Sequence, residues 1–424
     1  MYTKLHPVFW RVVILLLVLA GGLQAQRGDE DFRFRPDHER QSLKGKSPYL
    51  VFLDQEGIPV YTGWAVEDLY AAKLKPWKRQ GPGVQGAYVY LDGTGGVVDA
   101  FCMEIAAKGQ TKPERHLFEE QILILSGEGE THIWQKNPAK KVVIPWKKGT
   151  VFSPPLNTWH QHFNKGAAPS RLVAVTDMPI KLDLFRNTNF IFNNSFDFVD
   201  RYAGQANYFD PENSKDYNST SSEHSLSVVN LVRNAWTWRL FLAGQGVGDI
   251  DRHFLMSDNT MGGHVEQFPV GTYERAHRHG PGSTIILLNG TGYSLMWPPA
   301  LGINPWKDGK AEKVVRVDWK MGTILVPPTQ WFHQHFNSGK EPARFIKLGG
   351  IPGNDIYRLS TRQLSGGDNY MILFREEDSY VRSQFETQLA RHGARIEMPP
   401  MRELIEYERN GGEKVLEIPK ARRP

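Results

Sequence analysis

Four histidines in two short segments carry the strongest chemical signal in the chain. Ala276-His277-Arg278-His279 sets two imidazoles two residues apart, and His333 and His335 repeat that spacing further along. If each pair lies on a β-strand, alternation puts His277 and His279 on one face, and His333 and His335 likewise share a face. Three neutral imidazoles from two strands can bind a first-row transition metal and leave positions open for substrate or oxygen. His277, His279 and His333 are the expected ligands. His335 is placed beside the metal as cavity polarity, because a fourth imidazole would crowd the open positions. Earlier in the chain, His116, Glu120 and His160 form a second candidate set, with Glu114 standing where the later set has His277. Two imidazoles and one carboxylate suit iron or manganese in a facial arrangement; the other reading is a site that decayed after duplication. Arg275 and Tyr273 share strand parity with His277. They are expected at the cavity, as a cation for a carboxylated substrate and a hydroxyl donor, although a solvated arginine is as common. Trp159, beside His160, and Trp331, beside His333, could stack on an aromatic ligand or simply fill the core.

The elements that must position these residues occur twice. GTVFSPPLNTWHQHFN at Gly149 to Asn164 and GTILVPPTQWFHQHFN at Gly322 to Asn337 match at nine of sixteen positions without a gap. Upstream, His116/His279, Gly127/Gly290, Gly129/Gly292 and Trp134/Trp297 stay in register, and ten extra residues around Pro298 to Lys313 read as a longer hairpin loop in the second copy. A repeat of this kind signals tandem modules. Within each copy, Gln121 to Leu125 and Thr284 to Leu288 are short apolar runs closed by Ser-Gly or Asn-Gly, a hairpin signal. Val142 to Trp146 and Val314 to Trp319 are further strands. The expected fold is all-β, with two tandem jelly-roll barrels at 76–185 and 256–350. An N-terminal arm, 26–75, carries a short helix near Val66 to Leu74. Residues 186–255 connect the barrels and include a polar surface tract from Asn213 to Glu223. In the extension 351–424, Val381, Phe385 and Leu389 recur every four residues before Gly393, the pattern of an amphipathic helix.

The pattern HxH…G…G, followed by Gly-x5-Pro-x-[Asn/Gln]-x2-His-x3-Asn, resembles the two motifs of the cupin superfamily. The resemblance covers both repeats, from about 95 to 175 and 258 to 348. By position it implies metal ligands at His277, His279 and His333, and at His116, Glu120 and His160. Ser283 occupies the place of the usual cupin glutamate after His279. A three-histidine site without that glutamate resembles the gentisate and 1-hydroxy-2-naphthoate dioxygenases among bicupins. In those families Fe(II) binds O2 and an aromatic hydroxy-acid together and the ring is cleaved. They differ in keeping the complete site in the first barrel and in being generally cytoplasmic. The resemblance thus implies a divalent transition metal, Fe(II) first and Mn(II) second, a small-molecule substrate, O2 and a homo-oligomer. Two rival readings are a manganese bicupin of oxalate decarboxylase type, which needs three histidines and a glutamate in each barrel, and a non-catalytic binding or storage cupin.

Composition narrows the classes further. Among 424 residues, 40 Gly and 27 Pro argue against a long helical bundle, and 12 Trp favour large buried or ligand-lining rings. A single cysteine, Cys102, excludes an internal disulfide framework and any CxxC motif. Lys4 and Arg11, the apolar run Val12 to Leu23, and Ala25 read as a secretory signal peptide over 1–25. Its removal lowers the formal charge from +5 to +3, too small and scattered an excess for nucleic acid. The expected mature protein is exported and free of the membrane.

Overall fold

The computed structural model describes residues 45–217, 226–242, 247–279, 284–350 and 370–409. The segment 1–25 expected as a signal peptide, the rest of the arm to residue 44, Ser283, and most of the tract between Tyr217 and Leu226 lie outside the described residues. The architecture is all-β, two tandem jelly-roll modules, each a long sheet facing a short one.

In the first module the long sheet has Val84–Val89, Asp99–Ile105, Ser170–Thr176, Glu120–Ser126 and Val151–Phe152 as consecutive neighbours. The short sheet orders Trp159–Asn164, Glu128–Trp134 and Val142–Lys147. The second module repeats this plan. Its long sheet runs through Ile250–Leu255, Gly262–Phe268, Ala343–Gly350, Thr284–Asn289 and Ile324–Leu325, opposite a short sheet centred on Thr291–Trp297 and Phe332–Asn337. Among the described residues neither pair of sheets is joined into one hydrogen-bonded cylinder, so the expected barrels are open two-sheet sandwiches. Alternation along the strands divides the core. Phe101, Met103, Ile122, Ile133, Ile144, Phe152 and Ala174 fill the first module. A second cluster draws Cys102, Val173 and Val175 from one long sheet and Val265, Ile346 and Leu348 from the other, binding the modules together.

The modules also exchange strands. Ala65–Val66, from the segment before the first module, pairs with Ile324–Leu325 of the second. Leu231–Val232, from the segment before the second module, pairs with Val151–Phe152 of the first. These are equivalent edges of the repeat. The helix expected near Val66 is therefore a strand and a turn, in which the Asp68 carboxylate accepts from the Tyr70 N–H at 2.8 Å. The arm's helix lies earlier instead, α1 at Pro48–Glu56, where the Ser47 hydroxyl caps the Leu50 N–H and Gly57 closes the end at φ 67°. Within the tract expected as loop, Lys215–Tyr217 forms a strand on Leu226–Val228, because Asp216 accepts from both Arg252 and Ser227.

Two short helices, α2 at Met178–Phe185 and α3 at Thr188–Phe192, follow the first module. After the second come α4 at Ser379–Arg391 and α5 at Met401–Arg409. Val381, Phe385 and Leu389 bury the apolar face of α4, as the periodicity predicts. They pack with Tyr273, Tyr293 and Phe336 of the second module. The ten-residue insertion crosses to the same helix, with the Trp306 ring stacked on Tyr380 at 5.6 Å.

Candidate metal centres

Strand pairing brings the second histidine set together. His277, at the start of a two-residue strand, lies directly opposite His333. The His277 and His333 Nδ1 atoms donate to the carbonyls of Arg275 and Trp331, each at 3.0 Å. That pairing fixes the tautomer and leaves Nε2 as the available lone pair. The Nε2 atoms of His333 and His279 stand 3.2 Å apart. Each of the three residues offers a ring nitrogen within 4.8 Å of the others. Burial and the neighbouring His279 imidazole push His277 down to about 3, and burial with its histidine neighbours holds His333 well below its ordinary range. Three imidazole nitrogens this close together are a donor set that suits a divalent transition metal.

The first module builds its set from different donors. His116 Nδ1 donates to the Phe118 carbonyl at 2.8 Å, and His160 Nδ1 to that of Thr158 at 3.2 Å. Glu120 Oε2 then lies 3.2 Å from His116 Nε2 and 3.6 Å from His160 Nε2. His116, Glu120 and His160 are all buried, and within this cluster Glu120 Oε1 and His160 Nε2 have no hydrogen-bond partner. Buried polar atoms are normally paired, so orphans converging on one point fit a cation there. Glu114, opposite His160, is not a surface residue. Its carboxylate accepts from Arg79 at 3.1 Å and Gln80 at 2.8 Å, and lies 3.7 Å from His160 Nε2. Burial opposes its ionisation, but His160 and Arg79 outweigh that and hold it well below the ordinary carboxylate range.

The fourth histidine of each motif has a separate support. His162 Nδ1 pairs with Thr131 Oγ1 at 2.7 Å, and His335 Nδ1 with Ser294 Oγ at 2.6 Å. In both modules a tryptophan indole, Trp146 or Trp319, donates to that hydroxyl at 3.0 Å. The repeated glycines make this possible: a Cβ on Gly129 or Gly292 would meet the Trp146 or Trp319 ring at 2.4 or 2.3 Å. His335 thus stands beside the triad, its ring 5.8 Å from that of His333, with Nε2 turned towards Glu274.

No protein-family model matches the chain, and no curated protein matches it. Solved structures do. An oxalate decarboxylase of Bacillus subtilis is 11% identical, covering 69% of this chain and 78% of that one, with a TM-score of 0.43. The Lactobacillus farciminis oxalate decarboxylase in its formate complex is 11% identical over 69% and 87% of the two chains, at 0.43. AerE from Microcystis aeruginosa is 13% identical over 65% and 95%, at 0.40.

Tyr273 and Arg275 are both engaged by the C-terminal segment. The Tyr273 hydroxyl donates to Glu377 at 2.7 Å, and Arg275 reaches Glu408 at 3.3 Å. Residues 274–276 are not strand, so parity counted back from His277 does not carry to them. Trp159 stacks on Trp134, and Trp331 packs on Trp64.

A group of buried ionisable residues beneath the second set is absent from the sequence reading. Glu274 is fully buried, 3.6 Å from His335 Nε2. Lys347 Nζ pairs with Glu266 at 2.9 Å, and His264 Nε2 lies 3.4 Å from the same carboxylate. The repeat itself held the signal. At the matching register the first module has Thr111 for Glu274, Phe101 for His264, Met103 for Glu266 and Ala174 for Lys347.

Proposed function

We propose that the chain is an exported metal-binding bicupin whose second module is a non-haem metal oxidoreductase centre, dioxygenase-like, acting on a phenolic or other oxygen-rich small molecule. One observation carries the reading: His277, His279 and His333 offer three ring nitrogens within 4.8 Å of one another. A divalent metal held by three protein ligands supplies open positions where substrate and oxygen are brought side by side. The protein's own part is positioning. The Arg275 and Trp331 carbonyls hold two of the rings, while the Trp319, Ser294 and His335 series fixes the wall beside them. This reading follows the resemblance to gentisate-type dioxygenases, with Fe(II) ahead of Mn(II).

A second reading is a manganese centre of the decarboxylase type, although neither module has the three histidines and a glutamate that this type needs. His116, His160 and Glu120, with Glu114 nearby, form an oxygen-richer donor set that suits manganese. Metal counting on the purified protein separates the two. About one equivalent of iron per chain, lost in His333→Ala, with oxygen uptake on phenols, supports the oxidoreductase. About two equivalents of manganese, with oxalate consumed and no oxygen uptake, overturns it for the second reading. Failure to retain any metal after reconstitution overturns both and leaves a non-catalytic binding role.

A further inference from the structure

The interior of the second module is polar where the first is sealed by apolar side chains. Facing residues on the long sheet, His264, Glu266 and Lys347, replace Phe101, Met103 and Ala174, and Glu274 replaces Thr111. In the first module the Thr111 hydroxyl is satisfied, accepting from the His162 N–H at 3.0 Å. Glu274 has no such use. Both its carboxyl oxygens and His335 Nε2 are buried without a hydrogen-bond partner, although Glu274 is 0% and His335 3% exposed. A buried polar group left unpaired is costly, so three such atoms side by side call for a hydrogen-bonding partner. It adjoins the metal set, since the His335 ring is 5.8 Å from that of His333.

Resting on the oxidoreductase reading, we infer that Glu274 and His335 form a buried specificity subsite. It hydrogen-bonds an uncharged hydroxyl or carbonyl at the end of the substrate remote from the metal, and it disfavours a carboxylate there. The charge balance supports the choice. Lys347 is the cation of this interior, and Glu266 already neutralises it at 2.9 Å. Burial, with the negative charges of Glu266 and Asp249 outweighing Lys347, pushes the Glu274 carboxyl well above its ordinary range and favours the protonated form, which is both a donor and an acceptor. An anionic group here would face the Glu266 charge, and among the described residues Lys347, the cation beside it, is already paired.

The test uses the full chain loaded with Co(II) and held without oxygen, titrated calorimetrically with three probes: catechol, 4-(hydroxymethyl)catechol and 3,4-dihydroxybenzoate. The wild type should bind the hydroxymethyl probe about tenfold more tightly than catechol, one buried hydrogen bond's worth, and the carboxylate probe more weakly than catechol. Glu274→Thr, which installs the first module's residue, should erase that ranking while keeping the bound cobalt. Glu274→Gln, which still donates and accepts, should retain the preference for the hydroxymethyl probe. If Glu274→Thr keeps full cobalt and the wild-type ranking, the subsite is wrong and the phenolic reading stands. If the cobalt-loaded wild type binds none of the three catechols, the phenolic reading fails and the subsite falls with it.

Discussion

Replacing Lys347 by methionine strands a charge whose cost can be worked out. Lys347 and Glu266 are buried, with side chains 9% and 4% exposed, and their ion pair spans 2.9 Å. Among the described residues Glu266 loses its one cationic partner of fixed charge, keeping His264 at 3.4 Å. Breaking a buried pair from one side costs about 3–5 kcal/mol. The carboxylate has one escape, which is to take up a proton. From an ordinary glutamate value of about 4.3, that costs about 3.7 kcal/mol at pH 7, at about 1.36 kcal/mol per pH unit. The loss in Lys347→Met is thus bounded near 3.7 kcal/mol at pH 7. The sign of its pH dependence follows. In the variant the folded protein binds a proton that the unfolded chain releases, so the Glu266 contribution recovers as pH falls from 7 to 6, by about 1.4 kcal/mol. In the wild type Lys347 holds Glu266 well below the ordinary range against the effect of burial, so Glu266 contributes no such recovery across that window. Urea denaturation of both proteins at pH 7 and pH 6 measures the difference directly. Adding Glu266→Leu to the variant should restore most of the stability, because an apolar pair of similar volume suits a buried site. A single variant as stable as the wild type at pH 7, or one whose deficit stays the same at pH 6, would refute this account of the interior.

Metal content should respond to each module separately. His279→Ala should lose about one equivalent per chain by elemental analysis while Glu120→Ala retains it, and unchanged content in His279→Ala would sink the second-module assignment. Glu114→His, which copies His277 into the first module, should shift that site away from Mn(II) and towards Zn(II) or Co(II) in a competition measured by elemental analysis, since imidazole replaces a hard oxygen donor. Phe385→Ala should destabilise the fold by about 3–5 kcal/mol in denaturant titration, because the fully buried ring packs against Tyr273 and Phe336. A loss below about 1 kcal/mol would mean that α4 is not seated on the second module.

The sequence made legible whatever repeats or alternates. The HQHFN motif, the paired glycines and the four-residue spacing on α4 each express a local rule, and the histidine sets converge because hydrogen-bonded strands place His277 opposite His333. Less legible was anything decided by partners distant in the chain. Val66 pairs with Ile324, and no local pattern announces that, so the helix expected there gave way to a strand. Parity failed at Tyr273 and Arg275 because the backbone leaves the strand between Tyr273 and His277. There the C-terminal Glu377 and Glu408 take both polar ends. Glu274, Glu266 and Lys347 were visible as letters, but only a register-by-register comparison with Thr111, Met103 and Ala174 shows that charge replaces neutral side chains facing inward.

The reciprocal pairing of Ala65–Val66 and Leu231–Val232 has a consequence for how the chain is made. During synthesis the first module's long sheet stays open at its Val151–Phe152 edge until Leu231 and Val232 have left the ribosome. The early strand, made almost at the outset, waits for Ile324 and Leu325 near the end. Contacts this distant in sequence slow folding, and an uncovered strand edge invites pairing with another chain meanwhile. A fragment ending before Leu231 would keep that edge exposed and leave Ala65–Val66 unpaired. The two halves, for all their repetition, are therefore expected to mature together or to aggregate apart.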